Sequence, residues 1–373
     1  MIGPLKRLWD GFRGSGDAAV TVPPMDGALR PNQLLETARL VAAVPSPDDL
    51  ASDGRSLFVS SGPRILRLVD GVGTVTAEFG AEITALAASP RGRMAAAVAS
   101  DHLVVTEPDG ASTTIARLGD GPTRCITALT FAGEGALLIA QGSSQRAAAG
   151  WKRDLMERRS DGAVWRLDLA TRQAERLAGG LGWPLGLALD AAGGILVAES
   201  WRHRIVALAP GRAPRPVLAD LPGYPARLHP DPAGGFWLAL FAPRNQLIEF
   251  VQREPAFLAR MFAEVDEAFW AAPSLRPSAT FLEPLQGGAQ KHLGMLKPWA
   301  PTRSYGLIVR LDDALRPVAS YHSRADGMRH GVFTCLPFGG RILAAAKGGD
   351  AVVEIDPAAD PANGPAAATG AQP

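Results

Sequence analysis

Residues 221–240 read L-P-G-Y-P-A-R-L-H-P-D-P-A-G-G-F-W-L-A-L: a turn, a short inner strand, a glycine-bearing turn and a short apolar strand. Residues 181–200, L-G-W-P-L-G-L-A-L-D-A-A-G-G-I-L-V-A-E-S, repeat that grammar just upstream. Short apolar runs bounded by Gly, Pro and Asp read as strands, and a unit used twice in tandem marks a repeat architecture.

Working outward, the unit recurs at residues 49–61, 85–98 and 128–140, then in the two quoted copies, and last at F-T-C-L-P-F-G-G-R-I-L-A-A-A, residues 333–346. Each of the six carries an inner strand, a small-residue turn, a second apolar strand and an alternating third strand. A fourth strand follows, as in R-P-V-L-A-D-L, residues 215–221. Strands this short and apolar need both faces covered, as in propeller blades. A parallel α/β fold would need a helix after each strand, and those are mostly missing. The expected fold is all-β: a six-bladed β-propeller over residues 36–356, with a tail at 1–35 and a disordered tail at 357–373. Inserts at 141–159 and 252–302 break the period. The first reads as a loop and short helix. The second contains P-A-F-L-A-R-M-F-A-E-V-D-E-A-F-W, with Phe257, Met261, Val265 and Phe269 at helical spacing.

The formal net charge is +1 and no basic run interleaves with aromatics, which excludes a nucleic-acid partner. Cys125 and Cys335 form no CxxC, so neither a disulfide framework nor a zinc site is expected, and a reducing, cytoplasmic setting fits. No apolar run reaches the length of a membrane span. In residues 1–13, Leu5, Leu8, Trp9 and Phe12 fall at helical spacing between Lys6, Arg7 and Arg13. That pattern suits either a helix packed on the domain or a foot on a membrane surface.

Three stretches carry a family resemblance: W-K-R-D-L-M-E-R-R followed by G-A-V-W-R-L-D, then V-A-E-S-W-R-H-R-I, then L-P-G-Y-P with G-G-F-W-L-A-L. They resemble the strictosidine synthase-like proteins, grouped with the senescence-marker/gluconolactonase and paraoxonase propellers. The resemblance is best over residues 151–251. It implies the propeller fold, but not one activity, because that fold hosts several chemistries.

The resemblance implies a calcium ion in the central channel of hydrolytic relatives. Asp48 and Asp49 match the first-blade ligand. The usual Asn-Gly is Leu185-Gly186 here, the usual Asp-Asn is Ala226-Arg227, and the last blade offers His330 and Thr334. Calcium needs several converging hard oxygens, so no metal and no cofactor are expected. The condensing enzyme's catalytic glutamate aligns near Phe333, and no glutamate lies between Glu283 and Glu354, so strictosidine synthesis is not expected. Two uncompensated aspartates in a channel would be costly. Arg227 is therefore expected to pair with Asp48 or Asp49 where the metal would sit.

The expected function is hydrolysis of a small ester or lactone, with His330 as base and Arg227 as electrostatic partner. The alternative is a non-catalytic propeller that binds a small anionic or apolar ligand, or a protein. The expected ligand lies in the central channel against Asp48, Asp49, Arg227, His229 and Trp151, with Phe269 and Trp270 as further apolar lining. Trp183, Tyr224 and Trp237 read as packing between blades. Glu199 reads as the partner of Arg202 or Arg204.

Overall fold

A computed structural model of the chain describes residues 22–280, 282–284, 291–292, 295–296 and 302–359. Six four-stranded antiparallel sheets form the six blades of a propeller. Their inner strands are Pro47–Ser52, Ile83–Ala88, Ile126–Phe131, Pro184–Leu189, Gly223–Pro230 and Val332–Phe338. All six repeat units correspond to blades. The ring closes with a strand the repeats did not announce. Arg39–Ala43 pairs with Ala351–Ile355 and becomes the outer strand of the last blade. One sheet thus joins the two ends of the described propeller, so the sixth blade cannot form until both are present.

Between blades the core is small and aliphatic. Ala95, Ala97, Leu103, Ile126, Leu137 and Ile139 make one such layer, and Ala188, Ala198, Leu228, Leu238, Leu307 and Val309 another. Alanine-rich second strands let neighbouring sheets approach, while leucine and valine fill the widening outer part.

The first expected boundary shifts. Asn32 donates to Ser320 O at 2.8 Å and accepts from His322 N at 3.0 Å, and Leu35 is fully buried. Residues 32–35 therefore belong to the fifth blade's packing rather than to a free tail. The remainder of the tail up to residue 21, with the amphipathic 1–13 stretch, and the tail from residue 360 lie outside the described residues.

Both inserts rise on one side of the ring and pack on each other. The first forms the helix Trp151–Met156, as expected. The second follows the helix Gln246–Val251 and forms Pro255–Glu264. Met156 joins Ile248, Val251, Leu258, Met261 and Trp270 in one cluster. The predicted stripe is corrected here. The helix ends at Glu264, Val265 is extended, and Leu258 and Met261 are the buried pair while Phe257, Val265 and Phe269 stay exposed. The aromatics at 257 and 269 therefore do not line an interior.

The cap is seated on the last blade. Arg276 forms two hydrogen bonds of 2.9 Å with Asp350. A Cβ at Gly348 would lie 1.7 Å from Leu275 O, so only glycine lets the insert pass. Gly348→Ala is expected to lift the cap while leaving the blades folded. Amide exchange should rise in residues 270–276 and 347–350 but not in the inner strands. Unchanged exchange around residue 275 would show that this seat does not hold the cap.

Candidate functional site

The site is built from bulges. Each inner strand loses register near its start, between Pro47 and Leu50, Ile83 and Ala85, Ile126 and Ala128, Pro184 and Gly186, Gly223 and Pro225, and Val332 and Thr334. A bulge leaves one residue unpaired and re-aims its side chain. Five of the residues freed this way, Asp48, Thr84, Thr127, Leu185 and Phe333, line a single cavity at the mouth of the channel. Two positions earlier, Ser46, Cys125, Trp183 and Gly331 take positive φ. At Trp183, with φ 54°, that is uncommon for a bulky residue. Left-handed backbone thus recurs at four of the turns that lead into the channel.

Below the mouth, Arg227 reaches across the ring, and the expected ion pair is present with both aspartates. Nη2 lies 2.7 Å from Asp48 Oδ1 and Nε lies 2.8 Å from Asp49 Oδ2. The guanidinium also donates to the carbonyls of Asp48 (3.2 Å), Thr84 (2.8 Å) and Thr127 (3.4 Å). One side chain from the fifth blade therefore holds groups of the first three. The second cation, Lys347, was missed in the sequence. Its Nζ lies 2.6 Å from Asp48 Oδ2 and 3.1 Å from Glu82 Oε1. Only the ring geometry brings the end of the last blade's second strand over the first inner strand, and no local motif announces it.

The electrostatics follow from burial opposed by pairing. Burial pushes the Asp48 carboxyl up, but Lys347 and Arg227 outweigh it and hold it below the usual range. Asp49 is raised to about 6 by burial, against Arg227 and the amides of Leu86 and Leu50. Burial works against charged Lys347 as well, yet Asp48 and Glu82 raise it and keep it an ammonium.

These residues do not fit a calcium ion. Asp48 Oδ1 and Oδ2 are taken by Arg227 and Lys347. Asp49 accepts from Leu50 N at 2.9 Å and Leu86 N at 3.0 Å. Leu185 and Ala226 offer no side-chain oxygen, and Arg227 brings a fixed positive charge among the remaining ligands.

Above this plug the cavity measures about 70 Å³. A single water needs roughly 10–15 Å³, so the space suits a small ring compound. Its walls are Trp151, Trp183, Trp201, Phe241 and Phe333, and Leu275 of the cap completes them. Trp183 stacks on Trp201 at 5.1 Å, and Phe241 on Phe333 at 5.2 Å. Lys347 Nζ sits 5.6 Å from the Phe333 ring centre. Asp154, buried on the insert helix, accepts from Trp201 Nε1 at 2.8 Å and fixes that indole. Trp183 thus lines the cavity as well as packing between blades. Tyr224 and Trp237 are core residues.

The other expected site residues are dispersed. Asp48 and Trp151 line the cavity, whereas Asp49, Arg227 and His229 do not. His229 Nε2 lies 3.0 Å from Thr334 Oγ1, further along the channel. His330 is buried away from the cavity, with Nδ1 2.8 Å from Ser304 Oγ and Nε2 2.7 Å from Arg324 O. Both its ring nitrogens are partnered, so the geometry gives it no open base at the mouth. Trp270 is buried between the inserts, with Nε1 donating to Val265 O at 2.9 Å. Glu199 is held by both Arg202 (2.6 Å) and Arg204 (2.5 Å).

The fold and site define a six-bladed propeller with a capped, arginine-plugged channel. Within that class, residues 181–208 match the NHL repeat family. The adipocyte plasma membrane-associated protein of Mus musculus is 26% identical over 275 residues, 64% of this chain and 65% of that protein. The match thus spans a little under two thirds of that relative. Two solved structures share the fold. A gluconolactonase of Xanthomonas campestris has a TM-score of 0.55 at 13% identity, covering 90% of this chain and 97% of that one. A PQQ-bound aldose sugar dehydrogenase of Streptomyces coelicolor has a TM-score of 0.51 at 17% identity, covering 89% and 99%. The murine relative and the shared propeller fold accord with the resemblance to the strictosidine synthase-like propellers. No described helix is long and apolar enough to cross a membrane.

His229 gives a pH signature. Burial, reinforced by Arg227, lowers it to about 4 from an ordinary 6.5. The unfolded chain therefore takes up this proton first as pH falls, and the stability that His229 contributes is lost between about 6.5 and 4. His322, also lowered to about 4 by burial, adds a similar term. His229→Gln should remove about one proton's worth of slope, ~1.4 kcal/mol per pH unit at most. Urea unfolding at pH 7, 5.5 and 4.5 measures it. Equal slopes in wild type and variant would refute the buried neutral imidazole.

Proposed function

We propose that the chain is a small-molecule ester or lactone hydrolase-type propeller whose ligand occupies the aromatic cavity above the plug. The observation that carries this reading is Lys347 at the polar end of the cavity. An ammonium has three donors. Asp48 and Glu82 account for two of them, leaving one for a ligand oxygen. A carbonyl placed there would be polarised, and the fixed positive charge would stabilise the oxyanion formed by attack of hydroxide from solvent. The flat walls would hold the apolar remainder of the ester. Arg227 would act beneath the ligand as a positioning residue, anchoring Asp48 and through it Lys347. The gluconolactonase fold supports the reaction class. A cytoplasmic setting accords with the two unpaired, buried cysteines.

A second reading, a binding propeller without turnover, is favoured by one observation. The two charged residues lining the cavity, Asp48 and Lys347, are already paired with each other. A carboxylate held low by two cations is a weak base. Assays with phenyl acetate and simple lactones, each with calcium and with chelator, separate the two. The hydrolase reading expects chelator-resistant turnover that falls at least ~100-fold in Lys347→Met. Thermal stabilisation by the same esters without turnover would establish the binding reading instead. Turnover that requires calcium would overturn the metal-free site.

A further inference from the structure

We propose that Glu199 and Asp154 are positioning residues for the aromatic cavity: they hold Trp201 from the blade and from the cap, and so set the Trp183–Trp201 wall against which a flat ligand lies. This rests on the cavity being the ligand site. Both carboxylates are buried, and neither lines the cavity.

The wall forms where two turns of the fourth blade meet. Trp183 directly precedes the inner strand, and Trp201 lies in the 3-10 turn Ser200–Arg202 that follows the second strand. The backbone joins the two turns. Ser200 N donates to Trp183 O at 3.1 Å, and Trp201 N donates to Gly182 O at 3.0 Å. Glu199 completes the junction. Its Oε1 accepts from Gly182 N at 2.7 Å and from Arg202 Nη1 at 2.6 Å, and its Oε2 accepts from Arg204 Nε at 2.5 Å. Pairing and hydrogen bonds on both oxygens are what let a carboxylate stay charged at this depth. Trp183 has φ 54°, which bulky residues seldom adopt, so contacts rather than local preference must hold it.

The ring of Trp201 is held separately. Asp154, on the cap helix Trp151–Met156, accepts its indole N–H at 2.8 Å. Tyr224 and Phe241 meet the same ring edge-on, at 6.0 and 6.4 Å. One tryptophan is thus fixed by the blade through its backbone and by the cap through its ring. Trp183 stacks on it, 21° from parallel. The labour is divided: Lys347 serves the ligand's oxygen, while Glu199 and Asp154 serve the shape of the wall. A wall that loses its shape grips substrate and transition state less well by the same amount, which raises KM and leaves kcat.

Two variants test this. Glu199→Met removes the acceptor but fills similar space, and Arg202 and Arg204, 40% and 24% exposed, can turn to water. Asp154→Leu frees the indole N–H. The near-ultraviolet circular dichroism that the wild type loses in Trp183→Phe is the signature of the stacked pair. Both variants should lose most of that signature and raise KM for phenyl acetate at least ~10-fold while kcat stays within about twofold. Glu199→Gln and Asp154→Asn keep an acceptor oxygen and should restore both readouts in part. A retained signature or an unchanged KM in either folded variant overturns the proposal, as does a fall in kcat at constant KM. If one variant does not fold, the other decides. If neither folds, the carboxylates hold the fold rather than the wall, and the proposal falls. If the wild type neither hydrolyses nor binds the ester, the cavity is not the ester site, and the dichroism alone decides whether the two carboxylates set the wall.

Discussion

One guanidinium sets the terms for the centre of this molecule. Six strands that converge on an axis bring the starts of their backbones together, and bulges there free carbonyl oxygens that cannot pair within their own sheets. Buried carbonyls need donors, and two adjacent aspartates need positive charge. Arg227 meets both needs with one planar, permanently charged group. Removing one partner of such a buried network costs about 3–5 kcal/mol, because the others are left uncompensated. The ring closure at Arg39–Ala43 joins the two ends of the described propeller, and Arg227 ties the blades at the hub.

Most of the fold was legible in the sequence because it is repetitive. Six copies of a strand-turn-strand unit each report the same local physics, so blade number survives an error in any one copy. Arg227 was legible for a related reason: a charged residue in the middle of an otherwise apolar inner strand must have a partner, and the chain offers Asp48 and Asp49. The ring-closing strand was not, since R-L-V-A-A has no repeat context and acquires its meaning only when it meets residues 351–355. Lys347 was hidden for the same reason, being placed by ring geometry at long sequence separation from Asp48. The helical stripe at 257–269 misled because spacing alone does not show where a helix stops. The chain turns extended at Val265, and the face with Leu258 and Met261 meets the first insert.

His330 shows how position in a repeat differs from position in space. It precedes the inner strand of the last blade, where a mouth residue could sit. Gly331, with φ 62°, turns the chain between His330 and that strand. Phe333, the bulged residue, faces the cavity instead. The imidazole is left among Ser304, Tyr305 and the Arg324 carbonyl, as part of the packing under the cap.

The plug also constrains where chemistry can occur. A metal at the hub would offer an open coordination position to a ligand. A guanidinium whose nitrogens face carboxylates and carbonyls offers none. Polar recognition must therefore move outward to the next charged group, and that group is Lys347, which shares Asp48 with Arg227. The carboxylate couples the two levels: its Oδ1 is fixed by the plug and its Oδ2 fixes the ammonium that faces the aromatic walls. The cap contributes Trp151 and Leu275 to those same walls. Polar recognition is thus set by the hub from below, and shape by the two inserts from above.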